Sequence, residues 1–395
     1  MNFQSDAMFE RPSGRSKAGR IKAVLVSFDF GERDAAERLE ELELLASSAG
    51  IECGALVRGR RDRPDSKHFA GSGKVEEIRA AATESAAGLV IFNHELSPAQ
   101  QRNLETALGC RILDRVSLIL EIFGQRARSH EGKLQVELAQ LEYLATRLVR
   151  GWTHLERQRG GRGTLGGMGE KQIEVDRRLI ARRVKALKDQ LVRLKRQRLV
   201  QRRARVRGQV LSVSLVGYTN AGKSTLFNAL AHAGAYAADQ LFATLDTTTR
   251  RVYVPGAGRL VVSDTVGFIR DLPHTLVAAF RATLEETIHA DLLLHVVDAP
   301  SPSRDARIDE VNKVLGGIGA ADIPQILVLN KIDLNGPDPG VERDEYGKIC
   351  RVRLSAVTGE GVELLRLALT EVATAKSAAS HPEPQQVIEA QNYVP

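Results

Sequence analysis

The chain is poor in cysteine, in aromatic residues and in long apolar runs. Its 395 residues include three cysteines and one tryptophan, and 5% are aromatic. Cys53, Cys110 and Cys350 lack the spacing of a metal site, which predicts buried thiols in a reducing compartment. No apolar run approaches the roughly 18 residues of a membrane helix, and residues 1–20 lack the apolar core of a signal peptide. These absences predict a soluble, cytoplasmic protein with no membrane span, and they leave peripheral membrane association open.

The net charge of +7 is concentrated in one segment. Residues 170–207 contain 15 Lys or Arg and four acidic residues, so the rest of the chain is net negative. Apolar residues recur there at spacings of three and four, which predicts a long helix with a narrow apolar stripe. The stripe consists of Ile180, Val184, Leu187, Leu191 and Leu194. The dense positive charge favours contacts with nucleic acid phosphates, and a solvated helical arm is the alternative.

A second amphipathic pattern precedes the basic segment, and we expect the two helices to pack antiparallel as a hairpin. The second stripe consists of Leu134, Leu138, Leu141, Ala145 and Leu148. Residues 159–169 join the helices and include six glycines, which predicts a mobile loop. We interpret the loop as a probe of structured RNA, with a simple connector as the alternative. The predicted RNA contacts are Arg159, Arg162, Lys171, Arg177, Arg178, Arg182 and Arg183.

The first part of the chain alternates between strand-like and helical patterns. The strand-like segments are 21–30, 52–57, 89–93 and 111–113, and the helical segments are 33–48, 74–87 and 98–108. This alternation predicts a small parallel α/β sheet with helices on both faces. Residues 71–74, Gly-Ser-Gly-Lys, resemble a phosphate loop but lack its first glycine and the following Ser or Thr. We therefore interpret them as the entry to a helix.

The strongest motif is residues 217–224, Gly-Tyr-Thr-Asn-Ala-Gly-Lys-Ser, between an apolar strand pattern and a helical pattern. In such a P-loop the backbone N–H groups surround phosphates, Lys223 adds positive charge at the outer phosphates, and Ser224 can ligate Mg²⁺. The motif alone accepts ATP or GTP. Its predicted nucleotide contacts are Gly217, Tyr218, Thr219, Asn220, Ala221, Gly222, Lys223, Ser224 and Thr225.

Three further motifs follow at the ends of predicted strands. Asp264 can hold Mg²⁺ through water, and Gly267 allows a backbone N–H to approach the γ-phosphate. Asp333 can accept hydrogen bonds from two guanine N–H groups that adenine lacks, which favours GTP and GDP. The predicted contacts in these motifs are Asp264, Thr265, Val266, Gly267, Asn330, Lys331, Ile332, Asp333, Ser355, Ala356 and Val357. The order of the motifs predicts a doubly wound, mostly parallel P-loop GTPase domain.

The chain resembles the HflX family of ribosome-associated GTPases. The segments that carry the resemblance are 114–128, 131–141, 166–172, 176–178 and 242–246, and the match runs from about residue 21 to 370. Met168 stands where the family usually has proline, which predicts a less rigid loop. The resemblance implies binding to the large ribosomal subunit and its rRNA, with the glycine-rich loop near the peptidyl transferase region. It also implies GTP hydrolysis coupled to the splitting of stalled or idle ribosomes.

The resemblance adds residues to the predicted site. It places Thr244 in switch I, where its hydroxyl completes the Mg²⁺ shell when the γ-phosphate is present. The switch I contacts are Phe242, Ala243, Thr244, Leu245 and Asp246, and the catalytic residues are Lys223, Thr244 and Gly267. Phe268 follows Gly267 where many GTPases place a water-orienting Gln, which predicts slow turnover without a partner. Asn220 resembles the K⁺-binding Asn of potassium-activated GTPases, and a turn-stabilising Asn is the alternative.

We expect a monomer with five segments. They are a disordered tail at 1–20, an α/β domain at 21–128, a helical hairpin at 129–207, a P-loop GTPase domain at 208–374 and a disordered tail at 375–395. Two other functions fit the same motifs. One is a GTP-dependent signalling switch that recruits a protein effector, and the other is an ATP-driven RNA remodeller that uses the amino-terminal domain.

Overall fold

The computed structural model describes residues 21–31, 34–148, 166–206, 210–231, 241–271 and 284–380, without the side chains of 166–173 and 198–206. The predicted tail at 1–20 lies outside the described residues, as do the predicted RNA contacts Arg159 and Arg162 and the side chain of Lys171. Within the described ranges, no helix is both long enough and apolar enough to cross a membrane.

A four-stranded parallel sheet forms the first domain, as the alternating pattern predicts. Its strands are β1 (Ile21–Asp29), β2 (Ile51–Arg60), β3 (Leu89–Phe92) and β4 (Arg111–Leu113), in the order β2-β1-β3-β4. Its helices are α1 (Ala35–Ser48), α2 (Ser72–Glu84), α3 (Pro98–Leu108) and α4 (Arg115–Arg126). Successive residues of β1 point to opposite faces, so Val24 is buried in one apolar cluster and Leu25 in another.

Local signals set several helix ends in this domain. Ser97 and Gln100 form a reciprocal capping box at the start of α3, which ends at Gly109 in the left-handed region. Gly71 is the extended residue before α2, which confirms that residues 71–74 form a helix entry. Asp114 begins α4 by accepting a hydrogen bond from the Ser117 N–H at 2.8 Å.

Two long helices follow, α5 (His130–Leu148) and α6 (Gly166–Val206). They pack together through Leu134, Leu138 and Leu187, which belong to the two predicted apolar stripes. Arg147 of α5 forms a 2.6 Å ion pair with the fully buried Asp114, which fastens α5 to the first domain. Helix α6 begins at Gly166, so the last four residues of the predicted loop form its first turn. Helix propagation from the following good helix formers explains this difference.

The last domain is a seven-stranded sheet with the order β10-β11-β9-β8-β5-β7-β6. Its strands are β5 (Leu211–Val216), β6 (Thr248–Val254), β7 (Gly258–Asp264), β8 (Leu292–Asp298), β9 (Gln325–Asn330), β10 (Gly340–Arg343) and β11 (Ile349–Arg353). Only the edge strands β6 and β10 run antiparallel to their neighbours. The helices are α7 (Lys223–Ala231), α8 (Glu285–Ile288), α9 (Arg304–Ile318) and α10 (Val362–Ser380). This arrangement confirms the predicted fold class.

The two sheet domains share one apolar core. A single cluster of buried side chains includes Leu42 and Phe123 of the first domain together with Phe242, Phe268 and Leu315 of the last. The rings of Phe123 and Phe242 meet edge to face, with their centroids 4.7 Å apart. The segment predicted as switch I therefore packs against the first domain.

Two expectations are corrected. Cys53 is exposed, because β2 lies at the edge of its sheet, whereas Cys110 and Cys350 are partly buried. Helix α10 continues to Ser380, so residues 375–380 are helical and do not belong to a disordered tail. The alanines of this stretch favour a helix, and Lys376 forms a 2.6 Å ion pair with Asp291. Residues 381–395 lie outside the described ones.

Candidate nucleotide site

The P-loop connects β5 to α7 and has the backbone geometry that its sequence predicts. Gly222 has a φ of +90°, and a Cβ there would lie 2.2 Å from Asn330 Nδ2, so no other residue fits without a shift. Asn220 also lies in the left-handed region, with a φ of +60°. Two backbone hydrogen bonds close the loop against the next motif. The Phe268 N–H donates to the Gly217 oxygen at 3.1 Å, and the Thr219 N–H donates to the Phe268 oxygen at 2.7 Å.

Lys223 lies at the centre of the loop. Its ammonium group donates to the backbone oxygens of Gly217 at 3.1 Å and Tyr218 at 2.7 Å. Burial lowers the pKa of Lys223 to about 8, and the charge of Asp264 partly opposes this shift. A buried ammonium with few counter-charges gains from an approaching anion, so this position suits a phosphate group.

Three predicted metal ligands converge beside Lys223. The hydroxyl of Ser224 donates to Asp264 Oδ2 at 2.7 Å, and the hydroxyl of Thr244 donates to the same oxygen at 2.9 Å. The two hydroxyl oxygens are 2.8 Å apart. Asp264 Oδ1 is buried and has no hydrogen-bond partner among the described residues. Burial raises the pKa of Asp264, so a bound cation would stabilise its carboxylate. A cluster of hard oxygen atoms with an unpaired buried oxygen fits Mg²⁺.

A cavity opens in front of these side chains. Predicted contacts that line it are Thr219, Asn220, Gly222, Lys223, Ser224, Thr225, Phe242, Ala243, Thr244, Thr265 and Gly267. Gly267 approaches the P-loop closely, because a Cβ at this position would lie 2.9 Å from Thr219 Cα and 3.0 Å from Lys223 Nζ. Phe268 is 1% exposed within the core, so its ring is held away from solvent.

The predicted guanine motifs lie at the ends of β9 and β11. Asn330 bridges the P-loop and the last motif, because its amide donates to the Ala221 oxygen at 2.8 Å and accepts from the Ala356 N–H at 2.9 Å. Lys331 forms a 2.9 Å ion pair with Asp298. Asp333 is exposed, so a base can reach its carboxylate from solvent. Of the other predicted residues, Ile332 and Ser355 are buried and Val357 is 76% exposed.

Switch I is attached to the rest of the protein on both sides of Thr244. Phe242 and Leu245 are buried in the shared core. The carboxylate of Asp246 does not line the cavity. It accepts hydrogen bonds at the amino end of α5, from the backbone N–H groups of Arg128 and Ser129. Asp246 therefore binds the start of α5, and its contact with the nucleotide stays a prediction.

Side chains of the first domain support the P-loop from outside the cavity, and sequence reasoning missed them. The Tyr218 hydroxyl donates to Glu41 of α1 and accepts from the Arg270 N–H at 2.9 Å. Arg115 forms a buried ion pair with Glu41 and donates to the Arg270 oxygen at 3.2 Å. Asp34 also pairs with Arg270. Tyr218 and Glu41 are 177 positions apart, so no local sequence pattern could have indicated their contact.

His295 of β8 is a further buried group near the P-loop. It lies in a small cavity beneath the loop with Tyr218, Thr219 and Asp298. Burial, together with the charge of Lys223, lowers the pKa of His295 to about 4. The imidazole is therefore neutral near pH 7.

Of the predicted RNA contacts on α6, Arg177, Arg178, Arg182 and Arg183 have described side chains, and all four are exposed, but not all are free of partners. Arg178 pairs with Glu174 at 2.5 Å, and Arg183 pairs with Glu137 of α5 at 2.7 Å. By contrast, several exposed cations form no ion pair with another described residue. They are Arg177, Arg182, Lys185, Arg193 and Arg196.

Comparison with known protein families gives three adjoining matches. Residues 36–124 match the family described as GTP-binding GTPase N-terminal, and residues 126–205 match GTP-binding GTPase Middle Region. Residues 212–331 match the family described as 50S ribosome-binding GTPase. Together these matches cover the first domain after β1, the helices α5 and α6, and most of the last domain.

Comparison with individual proteins gives long alignments. The chain is 56% identical over 351 residues to GTPase HflX of Escherichia coli (strain K12), which covers 89% of this chain and 82% of the relative. It is 51% identical over 334 residues to GTPase HflX of Magnetococcus marinus, covering 84% and 77%. The crystal structure of SsGBP with GDP shares the fold, with a TM-score of 0.50 and 24% identity over 90% of this chain and 99% of that chain.

Proposed function

Because this chain belongs to the HflX family of GTPases and hydrolyses GTP, we propose that its target is the large ribosomal subunit. In this proposal the GTP-bound protein binds the subunit and separates stalled or idle ribosomes. Hydrolysis of GTP to GDP and phosphate either drives this separation or releases the protein afterwards. The observation that carries the proposal is the match of residues 212–331 to a family described as 50S ribosome-binding. The proposed protein acts as a monomer in the cytoplasm.

The exposed cations of α6 support an RNA partner. Five of them lack an ion pair within the described part of the chain, so their charge is available to phosphate groups. Helix α6 also lacks aromatic side chains among residues 166–206, which favours contact with the RNA backbone over base stacking. In the proposed complex, Arg177 and Arg182 contact rRNA, whereas Arg183 must first exchange its partner Glu137.

The proposed catalytic roles follow the geometry of the P-loop. Lys223 stabilises the charge that develops on the transferred phosphoryl group, and the Gly267 N–H donates to the γ-phosphate. Ser224 and Thr244 would hold Mg²⁺, and Asp264 would support it through water. A bound Mg²⁺ would supply positive charge at the outer phosphates. The proposed P-loop contacts of the nucleotide are those predicted for residues 217–225.

Base and ion selectivity are further parts of the proposal. Asp333 accepts from the ring N–H and the amino group of guanine, and the Ala356 N–H donates to the guanine carbonyl. Asn220 binds K⁺ beside the phosphates, with the left-handed turn that Asn also favours as the competing explanation. Replacement of K⁺ by Na⁺ in a GTPase assay separates the two, since a turn-stabilising Asn predicts equal rates.

The ribosome is also proposed to stimulate hydrolysis. Phe268 is buried and apolar, so it cannot orient the attacking water in the way a Gln can. A titration of large subunits should therefore raise the GTPase rate substantially. An unchanged rate across the titration would remove ribosome stimulation from the proposal.

Co-sedimentation through a sucrose gradient tests the proposal directly. The protein is mixed with ribosomes or separated subunits in the presence of a non-hydrolysable GTP analogue, GDP or no nucleotide. We expect enrichment on the large subunit with the analogue, together with loss of intact ribosomes. Binding should weaken steeply from low to moderate salt. Arg182→Ala should bind more weakly than Glu345→Ala, an exposed control, and should show a shallower salt dependence because one phosphate contact is lost. Absence of co-sedimentation in every nucleotide state would favour a switch that recruits a protein effector.

A further inference from the structure

Asp246 connects the nucleotide site to the amino end of α5. Its Oδ2 atom accepts hydrogen bonds from the backbone N–H groups of Arg128 and Ser129, both at 2.8 Å. Its Oδ1 atom accepts from the Ser129 hydroxyl at 2.5 Å. Arg128 and Ser129 immediately precede α5, although they are 118 and 117 positions away from Asp246 in sequence. The carboxylate therefore makes three contacts with a distant helix start.

The chemistry of these contacts is favourable. The first turn of a helix exposes backbone N–H groups without intrahelical partners, and the helix dipole places partial positive charge there. Ser129 already supplies the local cap, because its hydroxyl oxygen accepts from the Gly132 N–H at 2.8 Å. Asp246 satisfies the N–H groups of the cap residue Ser129 and of Arg128 before it, and it accepts from the Ser129 hydroxyl. Hydrogen bonds to a carboxylate are stronger than those between neutral groups.

Gly132 shows how closely the two segments approach. A Cβ at this position would lie 2.0 Å from Asp246 Oδ1, far inside van der Waals contact. Any larger residue at position 132 would displace the carboxylate or shift α5. The absence of a side chain in the first turn of α5 is therefore needed for the contact.

The same short segment reaches the metal ligands. Thr244 is two residues before Asp246, and its hydroxyl lies 2.8 Å from Ser224 Oγ and 2.9 Å from Asp264 Oδ2. On the other side of Thr244, the ring of Phe242 packs on Phe123 at 4.7 Å. Thr244 is thus held between two attachments to the first domain and α5.

We propose that Asp246 is a positioning residue that couples the γ-phosphate state of the site to the α5–α6 hairpin. By fastening switch I to α5, it holds Thr244 where it can meet the Mg²⁺ ligands, and it orders the start of α5 when Thr244 is so placed. The coupling is reciprocal, so a force on the hairpin also changes the site. An effect of bound RNA on the nucleotide site through this hairpin rests on the function proposed above.

Steady-state kinetics of the full chain test the positioning role. For Asp246→Ala we expect kcat for GTP to fall by about tenfold or more, since small displacements of a reacting group cost up to roughly 100-fold. The GDP affinity should stay within about twofold, because GDP lacks the phosphate that engages Thr244. Asp246→Asn should recover much of the rate, because its amide oxygen can still accept from both backbone N–H groups.

Gly132→Ala provides the matched variant from the other side of the contact. It leaves every residue of the GTPase domain unchanged, and we expect it to lower kcat as Asp246→Ala does. Asp322→Ala, at an exposed position, is the control and should retain the wild-type rate. Equal kcat values for Asp246→Ala and the control would overturn the proposal. A parallel loss of GDP affinity would also overturn it, because it would indicate a purely structural role.

Hydrogen exchange of the wild-type protein tests the coupling without any variant. We expect the amides of residues 128–132 to exchange at least about threefold more slowly with a non-hydrolysable GTP analogue than with GDP. Equal exchange in the two states would contradict coupling through Asp246. Neither experiment contains ribosomes, so failure of the ribosome proposal would leave both results interpretable.

Discussion

Two glycine-containing turns in this protein lead into helices with a lysine in the first turn. At the start of α2, Gly71 is extended with a φ of −70°, and Lys74 pairs with Glu77 at 2.7 Å with 30% of its side chain exposed. At the start of α7, Gly222 has a φ of +90°, and the buried Lys223 donates to two backbone oxygens of its own loop. The backbones of the two turns therefore differ.

The difference shows that a phosphate loop depends on more than positive charge. A broad cavity of about 450 Å³ lies near the turn before α2. Its lining includes Arg60, Arg61, Arg63 and Lys74, so that surface is also basic. Among its described lining residues there is no counterpart of the Ser224, Thr244 and Asp264 cluster. Left-handed glycines turn several N–H groups inward, and a buried lysine has lost much of its hydration before the phosphate arrives. The turn before α2 provides neither condition.

The largest expected effect comes from the removal of Lys223, with the removal of Lys74 as the comparison. Lys223→Ala should lower kcat/KM for GTP by roughly 100- to 1,000-fold, because a preorganised charge is lost at the phosphates. Lys74→Ala should leave the rate unchanged, since Lys74 pairs with Glu77 on the surface. Measurement of phosphate release from GTP by both variants tests this difference in rate. A comparable loss in Lys74→Ala would mean that the two turns are functionally similar.

Base selectivity sharpens the comparison further. For Asp333→Asn we expect the preference for GTP over ATP to fall by about 100-fold, because the guanine N–H groups lose their carboxylate acceptor. Hydrolysis of both nucleotides by this variant and by the wild type measures the ratio. ATP hydrolysis that survives Asp333→Asn and disappears in Lys74→Ala would instead support an ATP-driven function of the first domain.

The pH dependence of GTP binding should reflect the pKa of about 8 of Lys223. Below this pH the ammonium is protonated and attracts phosphate. Above it the free protein loses the charge, so the GTP affinity should fall by about tenfold per pH unit. Fluorescent-nucleotide titrations from pH 7 to 9.5 provide the measurement. Lys223→Arg keeps its charge and should lack this slope, whereas an identical slope in that variant would assign the titration to another group.

The smallest effect concerns acid stability, to which each sheet domain contributes one histidine. Burial lowers the pKa of His94 and of His295 to about 4, from an ordinary value of 6.5. Between pH 4 and 6.5 the unfolded chain binds more protons, so stability is lost as the pH falls through this window. We expect roughly 1 to 3 kcal/mol from each histidine.

Urea unfolding at pH 7 and pH 4.5 tests this expectation. His94→Gln can keep an acceptor for the Phe28 N–H, which donates to His94 Nε2 at 3.1 Å, while it removes the titration. It should therefore be less sensitive to acid than the wild type. An equal loss of stability in variant and wild type would exclude His94 as a source.

The elements that followed from local pattern were predicted well. The four strands of the first sheet agree with the predicted segments to within a few residues, because strand and helix periodicities are local properties. The helix ends were less predictable. Helix α10 continues past residue 374 to Ser380, where alanines favour a helix and an ion pair with Asp291 adds tertiary support. Residue type alone could not exclude a disordered tail there.

The sequence by itself determined the P-loop, the order of the guanine motifs and the alternation of strands and helices, since each depends on residues close together in the chain. Only the tertiary structure decided what those motifs contact. Tyr218 and Glu41 are separated by 177 positions, and Asp246 and Ser129 by 117. Contacts of this kind leave no periodicity in the sequence. They form because burial of the shared core brings the first domain, the start of α5 and switch I together, and polar groups at its edge must then find partners.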